Sequence, residues 1–409
     1  MPFETHPKMR APIRRFQSTN TDARTAVREF RAGVAQPDIA LVLFFCSSAY
    51  ELDEIADEMA LSFPGVEVIG CTTAGEIGPE GYLNYSLSGA SLPADSFAAV
   101  IQLVPDLQHF ELAKARPLVQ SQLVELDGKT GNSPAFANRF ALSLIDGLSI
   151  REELVCRAFQ TALGDICLVG GSAGDDLNFV RTHVYHGGRF HADAAVMTLI
   201  ATSRPFRTVK IQNFVPMEER LVVTAAEPAR RRVTEINGLP AAEEYARVID
   251  APLRSLGPAR FAEAPIVVLL SGTYYVRAVR TAHHDGSLTF YCAIDEGMVF
   301  RIACMTDVVT NLSASLSEIR KTIGRPELMI GFDCILRKLN VSSRTSTRDV
   351  ESILGDNNVV GFSSYGEQYN GIHVNHTLTG VAIGELPEVV AGEARAEGQG
   401  AGAQAHPGG

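Results

Sequence analysis

Three short stretches place small hydroxyl side chains, glycine and an acid together at the end of an apolar run. Residues 68–76 read Val-Ile-Gly-Cys-Thr-Thr-Ala-Gly-Glu, and residues 359–367 read Val-Val-Gly-Phe-Ser-Ser-Tyr-Gly-Glu. The shared pattern is apolar-apolar-Gly-x-[Ser/Thr]-[Ser/Thr]-x-Gly-Glu, in strict register. Residues 168–175, Leu-Val-Gly-Gly-Ser-Ala-Gly-Asp, repeat it with one position deleted. Glycine allows positive φ and the close approach of a ligand or another backbone. Hydroxyls and free amides in such turns are ready hydrogen-bond partners. If the turns converge on one polar pocket, its ligand-binding residues are Thr72, Thr73, Gly75, Glu76, Ser172, Gly174, Asp175, Ser363, Ser364, Gly366, Glu367 and Asn375. The alternative is three tight turns that only connect elements. The acids Glu76, Asp175, Asp176 and Glu367 suit paired general acid/base work, and equally suit bonding of turn amides.

Residues 170–174 fit G-x-S-x-G after an apolar run, the pattern of a nucleophile elbow at Ser172. A true elbow leads into a helix. Here residues 175–185 carry two adjacent acids and then alternate like a strand, so a serine hydrolase is the minority reading and catalysis is not expected. Cys71 has no base beside it in sequence.

Histidines fall in small groups, and none forms H-E-x-x-H or a zinc spacing. His373-Val374-Asn375-His376 opens the last apolar run. On a strand, His373 and Asn375 share one face and His376 lies on the other. Either imidazole, His373 or His376, is a candidate metal ligand, because a histidine is the usual protein ligand of b-type haem. Seven cysteines include no C-x-x-C, which reads as reduced core thiols and excludes covalent c-type haem.

The elements that must position these residues come from a chain of 409 residues with net charge −11. One core stops growing at roughly 250–300 residues, so the length implies roughly two or three domains. Apolar residues make up 46 % and charged residues 20 %, a globular balance. The acidic excess argues against nucleic acid as a partner. No apolar run approaches the ~20 residues of a membrane-spanning helix, and no secretory h-region follows the N-terminal basic residues. A cytoplasmic location with no membrane partner is expected.

Residues 1–20 read as a flexible arm. A helix capped by Thr21 or Asn20, a buried strand at 39–46, a helix at 52–63 and a strand at 66–70 form a β-α-β unit. Residues 82–104 alternate like antiparallel strands, and 106–155 read as mainly helical. Strands are expected at 166–169, 180–185 and 194–201, a turn at Asn237-Gly238, a helix at 241–249, a strand series from 265 and a long helix at 305–323. The arginines 230–232 suggest a boundary between domains 21–232 and 233–386. The Gly/Ala/Glu/Gln/Pro composition of 387–409 reads as a disordered tail. The fold class is mixed α/β, with parallel and antiparallel strands in two domains, helices on their flanks, and the Gly-Ser/Thr turns facing a cleft.

At these motifs the chain resembles the FIST family (F-box and intracellular signal transduction), in both its N-terminal and C-terminal domains. The matching stretches are PGVEVIGCTTAGEIGPEGY at 64–82, LVGGSAGDDL at 168–177, INGLPAAEEY at 236–245, IGFDCILRKL at 330–339 and VVGFSSYGEQYNGIHVNHTLTGVAIG at 359–384. The resemblance implies a sensory, small-ligand-binding module of signal transduction. The C-terminal stretch looks most like the NosP-type branch, which implies non-covalent haem b, nitric-oxide sensing and a histidine kinase or cyclic-di-GMP signalling protein as partner. By motif position His373 is the implied haem ligand. His376 stands where many relatives carry glutamine, and the segment 206–232 departs from the family pattern. A haem-free sensor of amino acids or another small polar metabolite is the alternative.

Overall fold

A computed structural model describes residues 11–131, 133–270, 272–342 and 347–386. The tail 387–409 and the first ten residues lie outside the described residues. The fold is mixed α and β, and its frame is one unit built three times.

The first repeat runs from strand Arg14–Ser18 through helix Ala23–Val34, strand Ile39–Ser47, helix Leu52–Ser62, strand Val68–Thr73 and the short hairpin Glu76–Gly78/Gly81–Leu83 to strand Leu87–Pro93. The second has strands Phe97–Val104, Asn138–Ile145, Leu168–Ser172 and Ala195–Thr202, helices Ala115–Thr130 and Glu152–Leu163, and hairpin Val184–His186/Arg189–His191. The third has strands Phe206–Gln212, Pro326–Cys334, Val359–Ser364 and Thr377–Gly384, helices Val308–Ile323, Ile335–Ser342 and Thr347–Asp356, and hairpin Glu367–Tyr369/Ile372–Val374. In each repeat the middle two strands are parallel and the rest antiparallel.

The hairpins are exchanged in a cycle. That of the first repeat pairs with the third sheet, at Val359–Ser364. That of the second pairs with Val68–Thr73 of the first, and that of the third with Leu168–Ser172 of the second. Three six-stranded sheets result. Their inner faces meet in one core that includes Leu43, Phe45, Leu142, Leu144, Ile330 and Phe332. Each outer face is covered by its own helices. Burial on both faces explains why the strand runs are apolar without alternation.

Residues 214–305 interrupt the third repeat as a separate module. It is a nine-stranded antiparallel sheet with helices Ala241–Val248 and Pro258–Glu263. Its own core holds Leu221, Tyr245, Phe261, Phe290 and Phe300.

Several expectations are corrected. Residues 14–18 are not a loose arm, because all five pair with residues 87–91 and give the first sheet its edge. The first helix is capped by Asp22, whose carboxylate accepts from Thr25 N at 2.8 Å. The stretch 106–155 contains strand Asn138–Ile145 at the middle of a sheet. Of the expected strand at 180–185 only residues 184 and 185 are paired, in strand Val184–His186. The boundary at 232/233 falls inside a β-hairpin, where Arg232 pairs with Glu227 and Val233 with Ala226. The motif echo across two halves is a threefold repeat, and strands from both sides of that boundary share sheets.

Candidate functional site

The three Gly-Ser/Thr turns meet at the centre of the repeats and bond one another in a ring. Ala74 N donates to Ser363 O at 2.9 Å, Gly174 N to Thr72 O at 3.0 Å, and Tyr365 N to Ser172 O at 3.2 Å. Ser363 N donates to Gly75 O at 2.7 Å and Ser172 N to Gly366 O at 2.8 Å. The turns converge, but their polar side chains, Ser363 Oγ apart, are engaged within the protein rather than turned to a pocket. Thr72, Thr73, Glu76, Ser172, Ser363, Ser364, Glu367 and Asn375 are all fully buried.

Glu76 accepts from the Thr73 hydroxyl, from Ser86 N at 3.0 Å and from the Ser86 hydroxyl at 2.7 Å. Glu367 accepts from the Ser364 hydroxyl at 2.5 Å, and from Thr377 N and its hydroxyl at 3.3 and 2.6 Å. Burial pushes Glu76 up to about 7 and Glu367 up to about 8, against those hydrogen bonds. Asp175 ties the longer second-repeat loop: it accepts from Phe179, Val180 and Arg181 amides at 3.0, 2.8 and 2.9 Å and from the Tyr365 hydroxyl. This bonding to backbone is why 180–183 is not a strand.

Ser172 Oγ accepts from Gln368 Nε2 at 2.9 Å, and among the described residues no acid or imidazole hydrogen-bonds to it. The next element is a loop rather than a helix. The geometry does not activate this hydroxyl as a nucleophile.

The two histidines lie in different surroundings. His373 Nδ1 is 3.4 Å from Gln368 Nε2, and its Nε2 is buried without a partner. A Cβ on Gly366 would stand 2.2 Å from the His373 Cε1 and 2.5 Å from its Nε2, so the turn backbone covers the ring edge. Both nitrogens of His376 are buried without partners. Burial lowers His373 to about 4 and His376 to about 3, so both rings are neutral at pH 7. Partnerless neutral imidazoles suit a haem ligand by donor chemistry. The space does not: Gly366 closes the edge of His373, and neither ring lines either cleft described below. As packed, these residues do not hold a haem. Among the described residues no three His, Cys, Asp or Glu side chains form a metal site. All seven cysteines are unpaired and five are buried.

The open surfaces lie beside the ring. They are reached through Ala74 and Tyr365, which fill the variable position before glycine in the repeated motif. Ala74, Asn84, Asp176, Leu177, Lys338 and Leu339 line one cleft. There Lys338 Nζ donates to Asn84 Oδ1 at 2.7 Å and Ala74 O at 3.3 Å. Burial lowers its pKa, while Glu76, Asp176 and Asp333 oppose that. Its ammonium also sits on Gly75, whose φ of +115° no side chain would favour.

The other cleft lies between the module and the frame. Phe179, Arg280, Tyr291 and Tyr365 line it, with Ile150 and Arg231. Phe179 and Tyr365 stack at 4.8 Å and 28°, and Tyr291 lies 5.9 and 6.4 Å from them. Arg231 clasps the module to the second repeat: its Nη2 donates to Glu152 at 2.7 Å and Glu153 at 2.5 Å, and its Nη1 to Tyr291 O. The module also docks on the third hairpin. Arg277 Nη1 donates to His373 O at 3.1 Å, and Ala278 N to Asn375 Oδ1 at 3.4 Å. Sequence reasoning missed this cleft. Its signals were Tyr365 inside the echo and the non-helical stretch after Gly174.

No helix of the described residues is long and apolar enough to cross a membrane. Among curated proteins none matches the chain. The chain matches the FIST N domain over residues 40–239 and the FIST C domain over residues 241–370, and the join between them falls inside the inserted module. Together these cover most of the sequence, and the chain belongs to the FIST family.

Proposed function

We propose that this chain is the ligand-reading component of a signalling system, and that the ligand sits in the cleft between the module and the repeat frame. FIST domains are sensory domains of signal transduction. One observation carries the location. Among the described residues, five that are neither glycine, asparagine nor aspartate have left-handed backbones: Tyr85, Ile150, Phe179, Arg231 and His376. Three of them, Ile150, Phe179 and Arg231, line this one cleft. Such conformations cost roughly 1–3 kcal/mol each and gather where a binding surface is held in place.

A ligand touching Tyr365 and Tyr291 would bear on both bodies. Tyr365 belongs to the ring of turns, and Tyr291 to the module. Binding that favours one placement of the module shifts the population by its differential affinity. The test is thermal unfolding of the full chain against pooled small metabolites. A stabilising compound whose effect disappears in Tyr365→Leu supports the location. Stabilisation that survives both Tyr365→Leu and Phe179→Leu removes it.

The nitric-oxide reading, with haem b on His373 and a histidine kinase or cyclic-di-GMP signalling protein downstream, requires Gly366 to leave that ring. A Soret band in haem-supplemented protein, lost in His373→Ala, would install that reading in place of the cleft.

A further inference from the structure

We propose that the cleft between module and frame takes a small planar aromatic acid, with its ring on the Phe179–Tyr365–Tyr291 wall and its anionic group on Arg280. This rests on the sensory reading above and adds the ligand's chemical class.

The rings of Phe179, Tyr365 and Tyr291 line the cleft, whose free volume is about 50 Å³, so a ligand ring enters as the module moves off the frame. Phe179 and Tyr365 are stacked, and Tyr291 stands at about 47° to both. Aromatic faces select flat ring systems through offset and edge contacts. The Tyr291 hydroxyl makes no hydrogen bond among the described residues, which leaves a polar handle on an apolar wall.

The charges of the cleft divide clearly. Arg231 is saturated by two carboxylates and a carbonyl. Arg230 pairs with Glu227 at 3.3 Å on the surface. Arg280 makes neither ion pair nor hydrogen bond among the described residues, and its Cζ lies 6.0 Å from the Phe179 ring centroid. A guanidinium held at an aromatic face offers a planar donor fork to a carboxylate.

The acids point the same way. Glu152 and Glu153 are engaged by Arg231, and Asp175 already accepts from three amides and the Tyr365 hydroxyl. Asp146, beside Gly147, accepts from Thr182, from Leu148 N at 3.0 Å and from Asp193 N at 2.5 Å. Among the described residues that line this cleft none is a carboxylate, so none receives an ammonium group there. An α-amino acid would bring a cation without a partner to a cleft whose free charge is already positive, and burying an unpaired charge is costly.

The experiment is isothermal titration of the full chain with four matched probes: 4-hydroxybenzoate, 4-hydroxybenzamide, 4-hydroxycyclohexanecarboxylate and tyrosine. The acid with the aromatic ring should bind about tenfold or more tightly than the other three, from loss of a charge-assisted bond or of the ring contact. Arg280→Gln should weaken 4-hydroxybenzoate by a similar factor and leave 4-hydroxybenzamide unchanged. Its thermal midpoint and circular dichroism serve as the folding control. Equal binding of the cyclohexane acid, or full binding in Arg280→Gln, overturns the proposal. So does binding of none of the four. If a non-aromatic or zwitterionic metabolite from the pooled screen binds, and Tyr365→Leu abolishes it, the sensory cleft stands and only the aromatic-acid class falls.

Discussion

Glu76 and Glu367 occupy the same position in two repeats and are held the same way. Each accepts from the hydroxyl three residues before it, and from the amide and hydroxyl of the residue ten positions after it. The acid of the motif thus closes its own hairpin by holding the start of the return strand. In the second repeat Asp175 holds a longer loop instead, and that loop forms a wall of both clefts.

This bonding makes stability depend on pH. Burial raises Glu76 to about 7 and Glu367 to about 8, from an ordinary value of 4.5. Between 4.5 and these values the folded chain keeps protons that the unfolded chain has released, so stability falls as pH rises. The contribution is full below 4.5 and is lost as pH passes through 7 and 8. Below pH 6.5 the buried neutral His373 and His376 act in the opposite sense, so urea midpoints should decline from pH 6.5 to pH 8.5, with a shallower decline in Glu367→Gln. A profile identical in the two proteins would count against the raised value.

Arg231 holds the module to the second repeat. Arg231→Met leaves Glu152 buried without its partner and should cost about 3 kcal/mol or more. Adding Glu152→Gln should recover part of the loss, since it removes the stranded charge. Denaturant unfolding measures both. Hydrogen exchange should speed up in residues 214–305 before it does in the repeat frame.

Gly366→Ala should destabilise by about 1–3 kcal/mol, because the new methyl meets the His373 ring. His373→Ala in the same chain opens the space and should recover part of that cost. A double-mutant cycle gives the coupling. If Gly366→Ala is neutral, the ring is free to swing, which is the condition the haem reading needs.

Ser172→Ala should change no hydrolytic activity, because the protein should have none toward a generic ester above background. It removes the acceptor of one Gln368 amide bond and should cost about 1 kcal/mol. Ester hydrolysis abolished by this substitution would restore the nucleophile-elbow reading.

The turns and the family were legible in the order of residues alone. Glycines, hydroxyls and acids at fixed spacing after apolar runs are local features, and the motif at 168–175 was legible despite its deletion. Most of the buried strands and helices were also legible, through periodicity. The threefold count emerged from the packed strands alone, because each hairpin pairs with another repeat's sheet and such exchange leaves no trace in local pattern. The strand 14–18 and the strand 138–145 were missed for the same reason: their partners lie far along the chain. Tertiary packing also decided what the polar residues do. The motif's hydroxyls and acids turned inward, and all but Ser363 bond buried backbone or one another or a neighbouring side chain. The buried Ala74 and Tyr365, at the variable position of the motif, each line one of the two clefts, and the role of Tyr365 depends on what the inserted module brings against it.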